Sequence, residues 1–397
     1  LANKKYSGSS GAKSHNNTRG FSGDDSDKRT QADEGMTFRS FAEHLQEPFL
    51  IISLLAALLS AGLIANLTFI DVNNTSALSS SKTVSLGCMV AIALFGVAAA
   101  ILTIMYYQRG RKNGHFIGIS ILLFAAALFA FWSYDRLNSA NFFEARDYGV
   151  FAFFLGILPL FYVLWMHKAL SAGTSLIVPI FALALLLHMT PAYTPSYADW
   201  QGKYIADLDS YFRLRNADTV YKTGLSPDRE TLVYPKLPVV IHPDGTLEST
   251  NDFVDIKFGS NVFLASVTGL LSPYGYTIID VAMVYPGLLA ALIVVLLFFL
   301  LKELFSDMAP YNYAAAGLGA LMLAVNPSFS TKAVATNCDI DTFGMFVTLG
   351  AFLLLAMCYK RKSIILAVMA GFALMFLNMS WTGYSYAVLV LGIIGMA

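Results

Sequence analysis

Two short acidic stretches carry the side chains best suited to chemistry. "YIADLDSYFRLRNADTVYKTG" (204–224) offers Asp207 and Asp209, then aromatics, then Arg213 and Arg215. "KAVATNCDIDTFGMF" (332–346) repeats the Asp-x-Asp spacing with Asp339 and Asp341, the first of them seven residues after Lys332. Hard carboxylate oxygens of this kind suit Mg²⁺ or Mn²⁺ rather than zinc, and no His or Cys cluster argues otherwise. A cation beside a carboxylate-bound metal could hold a phosphate. Helix capping is the plainer alternative, because Asp is favoured at N-caps and its charge suits the positive end of the helix dipole. On that reading Asp209 caps a helix from Ser210 to Lys222 that Gly224 ends, and Asp341 caps a later span. Asp207 and Asp339 are then left over. Tyr211 and Arg215, four residues apart, share one face of the expected helix, and Arg215 and Lys332 also read as ordinary surface ion-pair partners.

The elements that must position these residues are membrane helices. Hydrophobic residues make up 56% of the 397 and charged residues 13%, against roughly 25% charged in a soluble domain. Lys+Arg and Asp+Glu both total 26, so no charge excess points to nucleic acid, and no nucleic-acid partner is expected. The three cysteines (Cys88, Cys338, Cys358) fit neither a disulfide framework nor a metal-binding spacing. Residues 1–47 are polar and Gly/Ser-rich, a disordered composition that closes in an interfacial segment from Met36. With about 20 apolar residues needed per crossing, ten spans are expected: 49–70, 84–107, 116–133, 148–166, 174–190, 278–301, 312–328, 342–359, 363–380 and 383–397. The chain opens on Leu1 and stops inside an apolar run, and so reads as a fragment at its C-terminal end.

Positive charge stays on the cytoplasmic side of a membrane. Lys and Arg collect in the tail, at 108–115, at 168, at 302 and at 360–362, and these segments alternate with poorer ones at 71–83, 191–277 and 329–341, while the loop at 134–147 is mixed, its Arg136 and Arg146 offset by Asp135, Glu144 and Asp147. That pattern implies a multi-pass cell-membrane protein with a cytoplasmic N-terminus and the loop 191–277 outside. Both Asp-x-Asp pairs then face the same, outer side and could converge. A transporter for lipid-linked sugars would place ionisable groups inside its spans, whereas here they gather at the ends.

"DLDSYFRLRNADTVYKTG", "KAVATNCDID" and "SWTGYSY" (380–386) resemble, in order, three signatures of the oligosaccharyltransferase catalytic subunit in its archaeal form, over roughly residues 174–397. The family's first motif has an acidic residue, an aromatic and then Arg, as Asp209, Tyr211 and Arg215 stand here. Its second has a basic residue seven positions before an acidic pair, as Lys332, Asp339 and Asp341 do, although the family usually carries Arg where this chain has Lys. The resemblance implies an all-α polytopic membrane protein, a type C glycosyltransferase-like bundle with a large first outer loop. It divides the chain into the tail (1–47), four additional transmembrane helices (48–170) and an incomplete glycosyltransferase core (171–397).

It further implies transfer of a glycan from a polyprenyl (dolichyl) phosphate or pyrophosphate carrier in the membrane to Asn in Asn-x-Ser/Thr of an acceptor polypeptide. Asp209, Asp339 and Asp341 would hold Mn²⁺ or Mg²⁺ and contact the acceptor amide, with Asp207 a further candidate. Lys332, Arg215, Trp381 and Tyr384 would serve the donor phosphate and its groove. The family's Trp-Trp-Asp acceptor motif lies downstream of residue 397, so the resemblance implies that the fragment does not complete the reaction by itself. The rival within type C enzymes moves a single lipid-phosphate-linked sugar to a protein hydroxyl or a glycan. Two sequons, at Asn66 and Asn73, adjoin the outer 71–83 loop, and the second is open to self-glycosylation.

Overall fold

The computed structural model describes residues 47–69, 74–108, 115–189, 205, 208–224, 229–230, 239–241, 247–249, 254–255 and 258–396. The tail, Asp207 and Asn73 lie outside the described residues. Five helices come first: α1 (Pro48–Thr68), α2 (Thr75–Gln108), α3 (His115–Asn138), α4 (Phe142–Met166) and α5 (Ala172–Met189). Helix α6 (Leu208–Thr223) follows, then four strands of two or three residues, β1 (Arg229–Glu230), β2 (Val239–Ile241), β3 (Leu247–Ser249) and β4 (Val254–Asp255). They pair antiparallel as β1 with β4 and β2 with β3. The remaining helices are α7 (Gly259–Leu271), α8 (Ile278–Leu304), α9 (Tyr311–Ala324), α10 (Pro327–Lys332), α11 (Ile340–Arg361), α12 (Ile364–Ser380) and α13 (Tyr384–Met396). The protein is an all-α polytopic bundle whose described strands all belong to the 191–277 loop.

Among the described residues seven helices, α1 to α5, α8 and α11, are long and apolar enough to cross a membrane. Ten were expected; α9, α12 and α13, at the seventh, ninth and tenth expected spans, are shorter, and two differences are instructive. The second span begins at Thr75 rather than near 84, so the Ser-rich stretch "TSALSSSKTVS" is helix instead of loop. Its serines are not simply solvated: the Asn66 side chain donates to the Ser81 carbonyl at 3.0 Å and to the Ser85 hydroxyl at 3.1 Å. The seventh expected span, 312–328, shrinks to α9, whose 14 residues rise about 21 Å, short of the ~30 Å hydrocarbon core.

Helices α1 to α4 form a leading bundle. Glycines on α4 permit its close approach to α1, since a methyl at Gly156 would strike Ser60 and one at Gly149 would strike Leu67. That bundle joins the rest through one apolar core in which Ile64, Val150 and Phe154 meet Ile180 and Leu183 of α5 and Ile293 and Phe298 of α8.

The helix ends sort into two sets. At one end Lys360 donates to the Glu303 carbonyl and to the Ser306 hydroxyl, and His167 meets Glu47 at 3.0 Å. This basic end carries Lys168, Lys302 and Lys360–Lys362. At the opposite, loop end, the last residue but one of α5 accepts from the segment after α10: Ala335 N–H donates to the His188 carbonyl at 2.7 Å. The start of α8 lies there too, with Thr336 N–H donating to the Met283 carbonyl at 2.7 Å.

Candidate active site

The site is built around the seven residues between α10 and α11. Besides the bonds from Ala335 and Thr336, the Asn337 amide donates to the Thr331 carbonyl at 3.3 Å. Thr342, in the first turn of α11, donates to the Lys332 carbonyl at 3.2 Å. Cys338 donates its S–H to the Tyr285 hydroxyl at 3.4 Å, and burial pushes this thiol up to about 12. Burial therefore works against ionisation of this thiol. Thr336 has φ 77°, a left-handed conformation that is an outlier for a β-branched residue. Three surrounding elements overdetermine that strained turn, and it delivers Asp339 to the start of α11.

Asp339 is 6% exposed and is the N-cap of α11, its Oδ1 accepting from Ile340 N–H at 2.6 Å. The capping role expected of Asp341 therefore belongs to Asp339, and Asp341 sits in the first turn. Asp209 likewise falls inside the first turn of α6, which starts two residues earlier than expected, so it does not cap that helix. Asp339 Oδ2 lies 3.8 Å from Lys332 Nζ, and the Lys332 side chain is 59% exposed. Burial raises the Asp339 carboxyl above the ordinary Asp value, the Ile340 N–H opposes the rise, the Asp341 carboxylate adds to it, Lys332 opposes it, and Asp209 adds to it. Asp341 and Asp209 are thus both within electrostatic reach of Asp339.

The direct link between the two acidic corners is a buried hydrogen bond. Ser210, fully buried on α6, donates to Asn337 Oδ1 at 3.0 Å across 127 residues of sequence. Each partner of this bond lies within two residues of a candidate carboxylate, Asp209 on one side and Asp339 on the other. Neither Ser210 nor Asn337 was singled out by motif or spacing.

Asp341 is oriented from α12 and α13. Trp381 donates its indole N–H to Asp341 Oδ1 at 2.8 Å. The indole lies in a slot between Gly344 of α11 and Gly383, where a methyl on either glycine would overlap the ring. Trp381 is therefore held against a carboxylate of the site. Tyr384 opens α13 half-buried against the apolar core around Val281 and Phe343. Arg215 is exposed on α6, with its guanidinium 5.9 Å from the Phe212 ring centroid. Its neighbour Arg213 is the one whose charge acts on Cys338, and its Nε is buried with no hydrogen-bond partner among the described residues. Sequence alone favoured Arg215; the i+4 spacing of Arg213 from Asp209 was the available signal.

The donor set fits a hard divalent cation in its chemistry, since the Asp339 carboxylate has two further carboxylates, Asp341 and Asp209, acting on it. Among the described residues no three His, Cys, Asp or Glu side chains converge as a complete ligand cluster. Mg²⁺ commonly binds through one or two carboxylates and completes its shell with water and substrate phosphates, and the arrangement fits that mode.

Comparison with protein families matches residues 175–397, more than half of the chain, to the family model described as oligosaccharyl transferase STT3, N-terminal. No individual curated protein matches the sequence.

Proposed function

Because this chain belongs to the oligosaccharyl transferase STT3 family, we propose that it transfers a glycan from a polyprenyl (dolichyl) phosphate or pyrophosphate carrier to asparagine in Asn-x-Ser/Thr. The supporting observation is the Ser210–Asn337 bond, which ties the Asp209 corner to the Asp339–Asp341 corner. In the reaction the acceptor amide nitrogen attacks the anomeric carbon of the sugar. The carbon–oxygen bond to the carrier phosphate breaks, a carbon–nitrogen bond forms, and the nitrogen gives up one proton to a site carboxylate or to the released carrier phosphate.

An amide nitrogen is a poor nucleophile, so carboxylates that accept from its N–H groups hold it in an attacking orientation. Asp209, exposed at the start of α6, is the carboxylate best placed to meet an incoming polypeptide. Lys332 is exposed beside Asp339 and faces the charge that develops on the leaving phosphate. As a flexible point charge it gives up the two-pronged grip that an Arg would supply. Trp381 fixes the rotamer of Asp341. Asp209, Asp339 and Asp341 would hold Mg²⁺ or Mn²⁺, whose charge stabilises the phosphate oxygens. We place the reaction on the extracytoplasmic face of the cell membrane, since the basic end of the bundle is the one retained inside. Residues 171–397 are assigned to the catalytic core, and 48–170 to an accessory bundle.

The test is Asp209→Ala in the full-length enzyme, assayed with a lipid-linked oligosaccharide and a sequon peptide. Loss of transfer, with an unchanged elution profile and with no product from an Asn→Gln peptide, is expected. Near-normal transfer by the variant would remove Asp209 from the mechanism, and product on the Gln peptide would remove the Asn acceptor.

A further inference from the structure

We infer that the groove between the leading bundle and the α5–α9 pair holds one anionic phospholipid, at the end of the molecule opposite the carboxylates. The groove has a volume of about 840 Å³. One wall comes from the leading bundle, with Gly118 on α3 and Leu158 on α4; the other comes from α5 and α9, with Ala314 among its small residues. A cleft shared between the accessory helices and the family-matched region gives the accessory helices a physical task that neither part performs alone.

Three features distinguish a retained lipid from bulk bilayer. The groove lining is apolar toward the middle of the bundle, as an acyl chain requires. Its rim is aromatic: Tyr162 and Trp165 on the last turns of α4 and Tyr313 at the start of α9, residue types that settle at the headgroup level. Over that rim stands a cation, because Lys302 Nζ lies 5.1 Å from the Tyr313 ring centroid and makes no ion pair among the described residues. Lys168, just past α4, lies at the same end. An apolar trough closed by aromatic rings and a lysine is complementary to one amphiphile with a phosphate headgroup.

The experiment uses the full chain, purified in detergent and offered equal amounts of phosphatidylglycerol and phosphatidylcholine, with bound lipid read by native mass spectrometry. One phosphatidylglycerol per chain is expected, favoured about fivefold over phosphatidylcholine, the factor one basic residue near an anionic headgroup gives. Lys302→Gln should bring the two lipids to equal retention while leaving a lipid bound. Ala314→Trp, which fills the trough, should remove it. If Ala314→Trp loses its monodisperse profile, Gly118→Leu on the opposite wall replaces it. Equal retention of the two lipids by the native chain, or retention untouched by filling the trough, would overturn the assignment, the second pointing instead to a protein partner or to lipid elsewhere.

Discussion

Asp341 shows how a single side chain is prepared for a task. One of its oxygens takes the Trp381 N–H at 2.8 Å, which fixes the plane of the carboxylate and the direction of the other oxygen. A hydrogen bond to a charged group contributes about 1.5–3 kcal/mol, so Trp381→Phe, which keeps an aromatic ring but loses the N–H, should lower transfer about tenfold or more. The melting temperature should fall only modestly, because the slot between Gly344 and Gly383 still receives a flat ring, though a smaller one that leaves part of it unfilled. Purified variant and parent, compared for initial rate and thermal unfolding, check both halves.

Asp339 gives a prediction of the opposite character. Its carboxyl is raised chiefly by burial, so the unfolded chain releases its proton at lower pH than the folded one. The contribution of Asp339 to stability is therefore greatest below the ordinary Asp value and is lost as the pH rises through the raised one. Asn caps helices about as well as Asp and carries no charge. In metal-free protein at neutral pH, Asp339→Asn should unfold at a temperature equal to or above that of the parent and yet be inactive. A clear fall in melting temperature would mean that Lys332 and the cap outweigh the desolvation.

Among the elements, the 333–339 segment is the one on which the site rests. Its bonds reach α5, α6, α8 and α10. Ser210→Ala removes the α6 bond alone, and a net loss of about 1 kcal/mol in stability is expected, with a larger proportional loss of transfer as the two corners drift apart. Gly344→Ala should be harsher, since overpacking typically costs about 1–3 kcal/mol and here displaces the indole that orients Asp341.

What could be read from the sequence divides along the same line. The apolar runs predicted the helices, and the 210–222 helix with its Gly224 stop was legible because Gly224 takes φ 73° at the helix end. The helical Ser-rich start of α2 was not legible, because Asn66 on another helix donates to its Ser81 carbonyl and its Ser85 hydroxyl. Ser210, Asn337 and Gly344 were invisible for the same reason. Their meaning lies in a neighbour more than 30 residues away, and a one-dimensional pattern carries no trace of it.

At the scale of the whole molecule the basic and acidic features occupy opposite ends, and this gives a labelling prediction. A single cysteine at Thr219 on α6 should react with an impermeant thiol reagent added outside intact cells, and one at Tyr359 near the end of α11 should react only after permeabilisation. Reversal of the two would move the site to the cytoplasmic face without altering its geometry. Removal of the divalent cation by a chelator should abolish transfer, with recovery on adding Mn²⁺ or Mg²⁺; full activity after thorough chelation would leave the carboxylates to act on the acceptor amide alone.

The convergence of two corners more than a hundred residues apart is tested most directly by joining them. Ser210→Cys and Asn337→Cys, combined in a chain whose Cys88, Cys338 and Cys358 are replaced, should link within one molecule under mild oxidation or with a short thiol cross-linker. The link would appear as a shifted peptide pair after proteolysis. Two cysteines that each accept a thiol label but never join to one another would contradict the shared site.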